Sequence, residues 1–185
     1  MNIVLVRHGE TEWSASGRHT SRTDVPLTDK GRAAARRLGE RLAGREFALV
    51  LTSPRSRARD TCAEAGFADA AEVTEDLAEW DYGGYEGLTT PEIRVDRPGW
   101  LLWHDGVPGG ETATQVAARA DRVLERALAA GGDVALFAHG HILRVVGARW
   151  LGQPAQFGGS LALSTATLSE LGFEHENRVL RRWNA

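Results

Sequence analysis

The strongest constraint on the fold is an alternation of short apolar runs with amphipathic helices along the chain. Residues 2–6, 47–51 and 133–138 are short and largely apolar, which predicts buried strands. A weaker strand is expected at residues 71–74, and residues 161–183 predict one or two further strands or edge segments. Because strands that alternate with helices form covered parallel sheets, the pattern predicts a mostly parallel sheet in a three-layer α/β/α sandwich. The whole chain of 185 residues is expected to form a single domain.

Four helices are predicted between these strands. Residues 28–42 begin with a threonine N-cap, and residues 53–65 begin with a serine N-cap that is followed by a proline. Residues 112–130 repeat apolar side chains at the spacing of one helical face, and a fourth helix is expected at residues 142–151. The connection at residues 76–108 has little periodicity, and a connection of this length inside one domain usually has a function.

Composition and charge narrow the possible functions. The chain carries 22 basic and 25 acidic residues, so its net charge of -3 provides no overall attraction for nucleic acid or an anionic membrane. No apolar run has the length of a signal peptide core or a transmembrane helix. Cys62, the only cysteine, cannot form an internal disulfide and is expected to be a buried thiol. These features predict a cytoplasmic protein without nucleic-acid or membrane partners.

Each strong strand is followed directly by side chains that suit an anion. The first run ends at Arg7 and His8, Arg57 follows the second, and His139 follows the third. Because the carboxyl ends of parallel strands meet at one edge of a sheet, these side chains are expected to converge. Helix N-termini at that edge add N–H donors, and arginine binds phosphate in a bidentate manner. The pattern favours a phosphate monoester as the ligand.

Five ordered segments carry a family resemblance. They are residues 5–11 (LVRHGET), 23–28 (TDVPLT), 53–58 (SPRSRA), 79–87 (EWDYGGYEG) and 138–140 (AHG). In this order they resemble the motifs of the histidine phosphatase superfamily, also called phosphoglycerate mutase-like. An Arg-His-Gly triplet alone would be weak evidence, but the five segments together span nearly the whole chain. The resemblance implies a phosphoglycerate mutase-like fold.

The resemblance also implies roles for individual residues. His8 matches the nucleophile that becomes phosphorylated, and Glu79 matches the general acid and base. Arg7, Arg57 and His139 match the residues that bind the phosphoryl oxygens. The chemistry of these side chains agrees, because a neutral imidazole is a competent nucleophile and positioned cations stabilise a transferred phosphoryl group. A carboxyl group can protonate the leaving alkoxide and later activate water. No cofactor is expected.

The identity of the acid leaves alternatives open. Glu86 and Glu111 lie near Glu79 in the sequence and could take its role. Glu86 is expected to orient its own loop. Glu111 resembles a family position at the rim of the pocket, where it would contact the substrate.

Substrate contacts are also expected from the loop that follows the signature. His19, Ser21 and Arg22 lie where the family contacts the remainder of the substrate, and a surface loop is the alternative interpretation. Arg55 and Arg59 match no motif position and are expected to be solvated helix charges.

Hydrolysis is favoured over phosphoryl transfer between substrates. The chain is shorter than typical mutases and lacks a long insertion or tail that would exclude water from an intermediate. Ser14 stands where mutases usually carry asparagine, and the loops at residues 16–28 and 77–93 most resemble small bacterial acid phosphatases. We therefore predict a phosphatase of broad specificity. A phosphoglycerate mutase or a dedicated sugar-phosphate phosphatase is the alternative, followed by a non-catalytic phosphate binder.

The remaining expectations concern pH, metals and partners. The acid must be protonated while His8 is neutral, and ordinary carboxyl and imidazole groups titrate near ~4.3 and ~6.5. A bell-shaped profile with an acidic optimum is therefore expected. His139 and His141 in one turn do not make a metal site, so none is predicted. The expected partner is a small phosphorylated metabolite. Trp80 and residues 100–103 are a candidate aromatic patch for a homodimer interface, and lining the pocket or the core is the equal alternative.

Overall fold

The computed structural model describes every residue from 1 to 185 and contains one six-stranded sheet. The strands are β1 (Ile3–Arg7), β2 (Leu49–Thr52), β3 (Ala71–Val73), β4 (Val134–Ala138), β5 (Leu168–Glu174) and β6 (Asn177–Arg182). Their order across the sheet is β3-β2-β4-β1-β5-β6. Strands β1 to β4 are mutually parallel. At one side of the sheet β5 runs antiparallel to β1, and β6 runs antiparallel to β5. The predicted mostly parallel sheet is confirmed.

Seven α-helices connect and cover the strands. They are α1 (Glu12–Ala15), α2 (Asp29–Leu42), α3 (Ser56–Glu64), α4 (Thr90–Asp96), α5 (Leu102–Asp105), α6 (Ala113–Ala129) and α7 (Gly140–Trp150). Val4 and Val6 pack with α2 and α3 on one face of the sheet, while Ile3 and Leu5 pack with α6 and α7 on the other. Since side chains alternate across a strand, β1 supplies both hydrophobic cores. The three-layer α/β/α sandwich is thus confirmed.

The start of α3 differs from its prediction. Ser53 and Pro54 were expected as N-cap and first helical residue, but α3 begins at Ser56 and its N-cap is Arg55. The Arg55 side chain forms no capping bond. The hydroxyl of Ser53 accepts the backbone N–H of Arg55 at 3.3 Å and also lies 2.6 Å from Nε2 of His139. The side chain that local sequence assigned to a helix cap is therefore shared with a tertiary contact.

Of the alternatives for the aromatic residues near Trp100, the structure supports a place in the core rather than a surface patch. Trp80, Trp100 and Leu102 are 0–5% exposed and belong to the core. Trp103 is half-buried and Leu101 is exposed, so no continuous apolar surface remains. The long connection that contains these residues forms the short helices α4 and α5 and packs on α6 and α7.

Cys62 is buried, as expected, and burial raises the pKa of its thiol to about 12.

None of the helices combines the length and the apolar character that crossing a bilayer requires.

A close approach of two glycines fixes the strand end that carries the candidate nucleophile. A Cβ atom at Gly9, directly after His8, would lie 2.5 Å from the carbonyl oxygen of Gly31 in α2. A Cβ atom at Gly31 would lie 2.2 Å from the carbonyl oxygen of Glu10. Both obstacles are backbone atoms that a rotamer change cannot move. The position of His8 thus depends on direct contact between two backbones.

We predict that Gly31→Ala lowers the free energy of unfolding by about 2 kcal/mol or more, because the new methyl group forces β1 and α2 apart. A helical glycine replaced by alanine otherwise gains up to about 1 kcal/mol. Arg37→Ala at an exposed position of α2 is the control and should stay within about 0.5 kcal/mol. Urea unfolding of the three proteins measures both changes, and a stabilised Gly31→Ala protein would contradict the prediction.

Candidate active site

His8 lies at the carboxyl end of β1 with one ring nitrogen occupied. Its Nδ1 is 2.7 Å from the carbonyl oxygen of Gly9, which can only accept, so Nδ1 carries the hydrogen. This tautomer leaves the lone pair of Nε2 free. Burial, and then the charges of Arg7 and Arg57, hold the pKa of His8 well below its usual range. The ring is therefore a neutral base with a free nitrogen, which is the form a nucleophile requires.

His139 stands beside this ring and is held from both sides. The two ring centroids are 5.1 Å apart. Nε of Arg57 donates to Nδ1 of His139 at 3.2 Å, and Nε2 of His139 is 2.6 Å from Oγ of Ser53. Burial and the charge of Arg57 keep the pKa of His139 well below its usual range. Since Nδ1 accepts, the hydrogen of His139 resides on Nε2.

Arg7 is an incompletely bonded cation. Its Nη1 donates to the carbonyl oxygen of Leu163, but its buried Nε has no hydrogen-bond partner. A buried donor without a partner costs about 1–3 kcal/mol. The guanidinium also lies against Gly140, where a Cβ atom would be 3.3 Å from Cζ of Arg7. An anion at this point would supply the missing acceptor.

Arg57 is fully buried and fixes the loop after α1. Its terminal nitrogens donate to the carbonyl oxygens of Thr20, Ser21 and Thr23 at 3.1–3.3 Å. From the other side, the carboxylate of Glu86 accepts from the backbone N–H groups of Ser21 and Thr23 at 3.0 and 3.1 Å. Glu86 is expected to orient its own loop, whereas the structure places its carboxylate on the loop after α1. Two charged side chains thus brace one loop.

Glu79 lies at the N-terminus of α7. Its carboxylate accepts the backbone N–H groups of His141 at 3.0 Å and of Ile142 at 2.9 Å. It also accepts the N–H of Trp80 at 2.9 Å. The helix dipole favours a carboxylate at this position. These contacts hold the carboxyl group within the cavity that His8 faces.

This cavity, termed the His8 cavity, has a volume of about 240 Å³. Only two of its 14 lining residues are hydrophobic. Besides the residues predicted from the sequence, it is lined by His141, Tyr82 and Arg144. The lining also includes Arg7, Ser14, Gly17, Arg18, His19, Thr20, Glu79, Thr90, Gly140 and Leu163. No cluster of three or more His, Cys, Asp or Glu side chains is placed to hold a metal ion.

Three expected substrate contacts do not reach the His8 cavity. The hydroxyl of Ser21 bonds to the carboxylate of Glu86, and the residue is 3% exposed. Arg22 is largely exposed and pairs with Asp81. The carboxylate of Glu111 is paired with Arg119 at 2.7 Å. Of the predicted loop contacts, only His19 lines the cavity, because Glu86 holds the side chain of Ser21 and Asp81 pairs with that of Arg22.

Arg22 and Glu111 line a second cavity of about 310 Å³, termed the side cavity, which shares Glu79 with the first. Arg55 also lines the side cavity and is half-buried, with a buried Nε that has no partner. The expectation that Arg55 is a solvated helix charge is therefore wrong. Arg59 is exposed, as expected.

Ser53, His141 and Arg144 were not predicted as site residues. His141 and Arg144 lie on the first turns of α7, the helix that follows β4. That position was an available signal, because α7 begins at the edge where the other site residues meet. For Ser53 the local helix-cap pattern pointed away from the site.

A family model of the histidine phosphatase superfamily (branch 1) matches residues 3–185 of the chain. The match covers every strand of the sheet and all the residues that surround the His8 cavity. This chain belongs to the histidine phosphatase superfamily.

Named relatives agree with this assignment. An acid phosphatase from Mycobacterium tuberculosis (strain ATCC 25618 / H37Rv) is 47% identical over 182 residues, which cover 96% of this chain and 89% of the relative. A sedoheptulose 1,7-bisphosphatase from Saccharomyces cerevisiae (strain ATCC 204508 / S288c) is 37% identical over 83% of this chain and 68% of its own. A solved structure of an open reading frame product of Mycobacterium tuberculosis superposes with a TM-score of 0.94 and 45% identity, over 99% and 96% of the two chains.

The family membership confirms several expectations from the sequence. This histidine phosphatase is an enzyme with a phosphoglycerate mutase-like fold and phosphatase activity. A phosphatase acts on a phosphorylated substrate, which confirms a phosphorylated small molecule as its partner. The roles of individual side chains stay predictions.

The buried histidines predict a pH-dependent stability. Burial lowers the pKa of His8, His139 and His141 well below their usual range, whereas the unfolded chain protonates them near ~6.5. Their contribution is therefore fully present above about pH 6.5 and decreases below it, because protons then bind the unfolded state. Between about pH 7.5 and 5.5 the free energy of unfolding should fall by about 4 kcal/mol.

Urea unfolding at several pH values measures this loss. His141→Gln is the matched variant, because it removes one of the three groups and should remove about a third of the pH dependence. A flat profile between these pH values would show that the three rings are protonated in the folded protein.

Proposed function

We propose that this histidine phosphatase hydrolyses phosphate monoesters through a phosphohistidine on Nε2 of His8. The observation that supports this most directly is the fixed tautomer of His8, whose Nδ1–H is bonded to Gly9 at 2.7 Å while Nε2 is free. In the first step Nε2 attacks phosphorus and the bond from phosphorus to the ester oxygen breaks. The imidazole becomes cationic, and the Gly9 carbonyl stabilises it through the same hydrogen bond.

Glu79 moves the protons of both steps in this proposal. As a carboxylic acid it protonates the departing alkoxide. As the resulting carboxylate it removes a proton from water, whose oxygen attacks phosphorus while the P–N bond breaks. His8 returns to the neutral imidazole, inorganic phosphate leaves, and Glu79 is again protonated. Its position between α7 and the His8 cavity supports this role.

The phosphoryl oxygens bind to Arg7, Arg57 and His139. Arg7 contributes the buried Nε that has no protein acceptor. The Nε2–H of His139, which donates to Oγ of Ser53 in this structure, is shared with a phosphoryl oxygen when the substrate binds beside the His8 ring. Arg57 adds its charge and aligns His139 through Nδ1. Charge on a phosphoryl group in transfer is spread over its peripheral oxygens, so fixed donors at this place stabilise the transition state.

The pH optimum is acidic in this proposal. Burial and the charges of Arg7 and Arg57 lower the pKa of His8, which keeps the nucleophile neutral at acidic pH, where a carboxylic acid is available to protonate the leaving group. The reaction uses no metal and has broad specificity for small monoesters. A single buried cysteine supports a location in the reducing cytoplasm. A sugar-bisphosphate phosphatase is the second candidate, which the 37% identical yeast relative supports.

We expect His8→Ala to reduce kcat by about a thousandfold or more, because the nucleophile and the intermediate are lost together. Wild-type enzyme incubated with ³²P-labelled substrate and quenched in alkaline detergent should carry an alkali-stable, acid-labile label on His8. His104→Gln, at an exposed position outside the His8 cavity, should keep both the activity and the label. Label on any other residue refutes the proposed intermediate.

A second prediction concerns the leaving group. Glu79→Gln should slow phosphorylation of His8 by an alkyl phosphate at least about a hundredfold, and much less by 4-nitrophenyl phosphate, whose leaving group needs little protonation. Rapid-quench measurement of the phosphoenzyme separates this step from hydrolysis. Glu86→Gln is the control: it loosens the loop that Arg57 holds and should slow both substrates alike. If Glu79→Gln slows phosphorylation equally with both substrates, Glu79 is not the general acid and another group has that role.

A further inference from the structure

The place of Glu111 in the structure is not explained by the proposed phosphoryl transfer. The sequence predicted it as a substrate contact, yet the protein itself bonds to both oxygens of its carboxylate. Oε1 accepts Nε–H of Arg119 at 2.8 Å, and Oε2 accepts an N–H of Nη2 from the same guanidinium at 2.7 Å. Oε2 also accepts the backbone N–H of Asp81 at 3.0 Å. This carboxylate therefore serves the protein rather than a ligand.

Glu111 holds the chain directly after Glu79. Besides the bond from its carboxylate to Asp81, its own backbone N–H donates to the carbonyl oxygen of Asp81 at 3.0 Å. Its carbonyl oxygen accepts the indole N–H of Trp80 at 2.8 Å. Three hydrogen bonds from one residue thus fix the two residues that follow Glu79.

Arg119 holds the chain directly before Glu79. Its Nη1 donates to the carbonyl oxygens of Asp76 and Ala78 at 2.9 and 2.8 Å. The side chain is only 13% exposed and reaches these acceptors from helix α6. All three guanidinium nitrogens are used, two on the carboxylate of Glu111 and one on the backbone. A planar guanidinium can make these bonds together, whereas the ammonium group of lysine cannot reproduce the geometry.

The segment that carries Glu79 depends on such external bonds. Residues 78–82 belong to no helix or strand, so no regular ladder of backbone hydrogen bonds determines their path. The N-terminus of α7 binds the carboxylate of Glu79 and thereby fixes the tip of the side chain. Glu111 and Arg119 fix the backbone from which that side chain extends. A general acid has to stay within hydrogen-bond distance of the leaving oxygen, and an error of about 1 Å can cost about a hundredfold in rate.

We propose that the ion pair of Arg119 and Glu111 is a positioning pair for Glu79, which fixes the backbone on both sides of the general acid and so sets its distance from the leaving group. The proposal rests on the phosphatase function proposed above, in which Glu79 protonates the departing alkoxide. Neither Arg119 nor Glu111 lines the His8 cavity, so the pair acts on the reaction through Glu79.

Two leaving groups test this role. Arg119→Met should slow phosphorylation of His8 by glycerol 3-phosphate about tenfold or more, and by 4-nitrophenyl phosphate no more than about threefold, because only the alkoxide needs the proton of Glu79. Rapid-quench measurement of the phosphoenzyme gives both rates. The rate with the aryl substrate also shows whether the variant is folded.

Conservative variants extend the test. Arg119→Lys keeps the charge and should recover part of the rate that Arg119→Met loses with glycerol 3-phosphate. Glu111→Gln keeps one oxygen acceptor and should show the same selective loss, of about threefold or more. If Arg119→Met does not fold, these two variants decide the question by the same comparison of substrates.

Arg122→Met is the matched control. Arg122 lies on the same helix and also contacts Asp76, but it bonds to the exposed side of the carboxylate and not to the backbone. Because a half-exposed ion pair contributes little, both rates should stay within about twofold of the wild-type values.

A double variant shows whether the pair acts through Glu79. Adding Arg119→Met to Glu79→Gln should slow the reaction with glycerol 3-phosphate by no more than about a further twofold, because the group that the pair positions is already removed. Losses that multiply in the double variant would overturn the positioning role. So would a loss in Arg119→Met that is equal for both substrates while Glu79→Gln remains selective, and that result would leave the phosphatase mechanism intact.

Failure of the mechanism gives a different result. If Glu79→Gln shows no difference between the two leaving groups, Glu79 is not the acid. The double variant then still decides whether Arg119 and Glu79 act as one unit: losses that do not multiply support the positioning pair, and losses that multiply refute it.

Discussion

Arg57 places a full positive charge in the interior of the protein, and the arrangement of the site depends on it. Its nearest carboxylate oxygen, on Asp24, is 4.0 Å away, so hydrogen bonds to backbone carbonyls and to His139 replace its hydration. Three consequences follow from this one side chain. The loop after α1 has a fixed path, the tautomer of His139 is set, and the pKa of His8 is lowered by a neighbouring charge. A phosphate dianion would complete the charge balance that the protein leaves open.

The N-terminus of α7 joins the two halves of the proposed chemistry. His139 immediately precedes this helix and lies beside the nucleophile, while the N–H groups of His141 and Ile142 hold the carboxylate of Glu79. In the proposed mechanism, a single helix start therefore positions both the group that meets the phosphoryl oxygens and the group that moves protons.

The sequence predicted the features that depend on local pattern. Buried strands followed by polar residues correctly placed Arg7, His8 and His139 at one edge of the sheet, because strand periodicity and parallel topology determine that edge. Contacts between distant loops were not predictable. Ser21 and Glu86 are 65 residues apart, and their hydrogen bond turns Ser21 away from the cavity. In the same way, nothing local decides between surface and core for the aromatic residues near Trp100, because Trp100 packs on His19 and Tyr85 from other segments.

The burial that keeps His8, His139 and His141 uncharged has a consequence for how such an enzyme can adapt. Lower pH favours the protonated acid of the proposed reaction, and it simultaneously favours the unfolded chain, whose histidines accept protons freely. Adaptation to more acidic surroundings cannot be achieved at the catalytic groups alone. Compensating stability has to come from distant parts of the molecule, such as the helix surfaces, so that catalysis and folding evolve as linked traits.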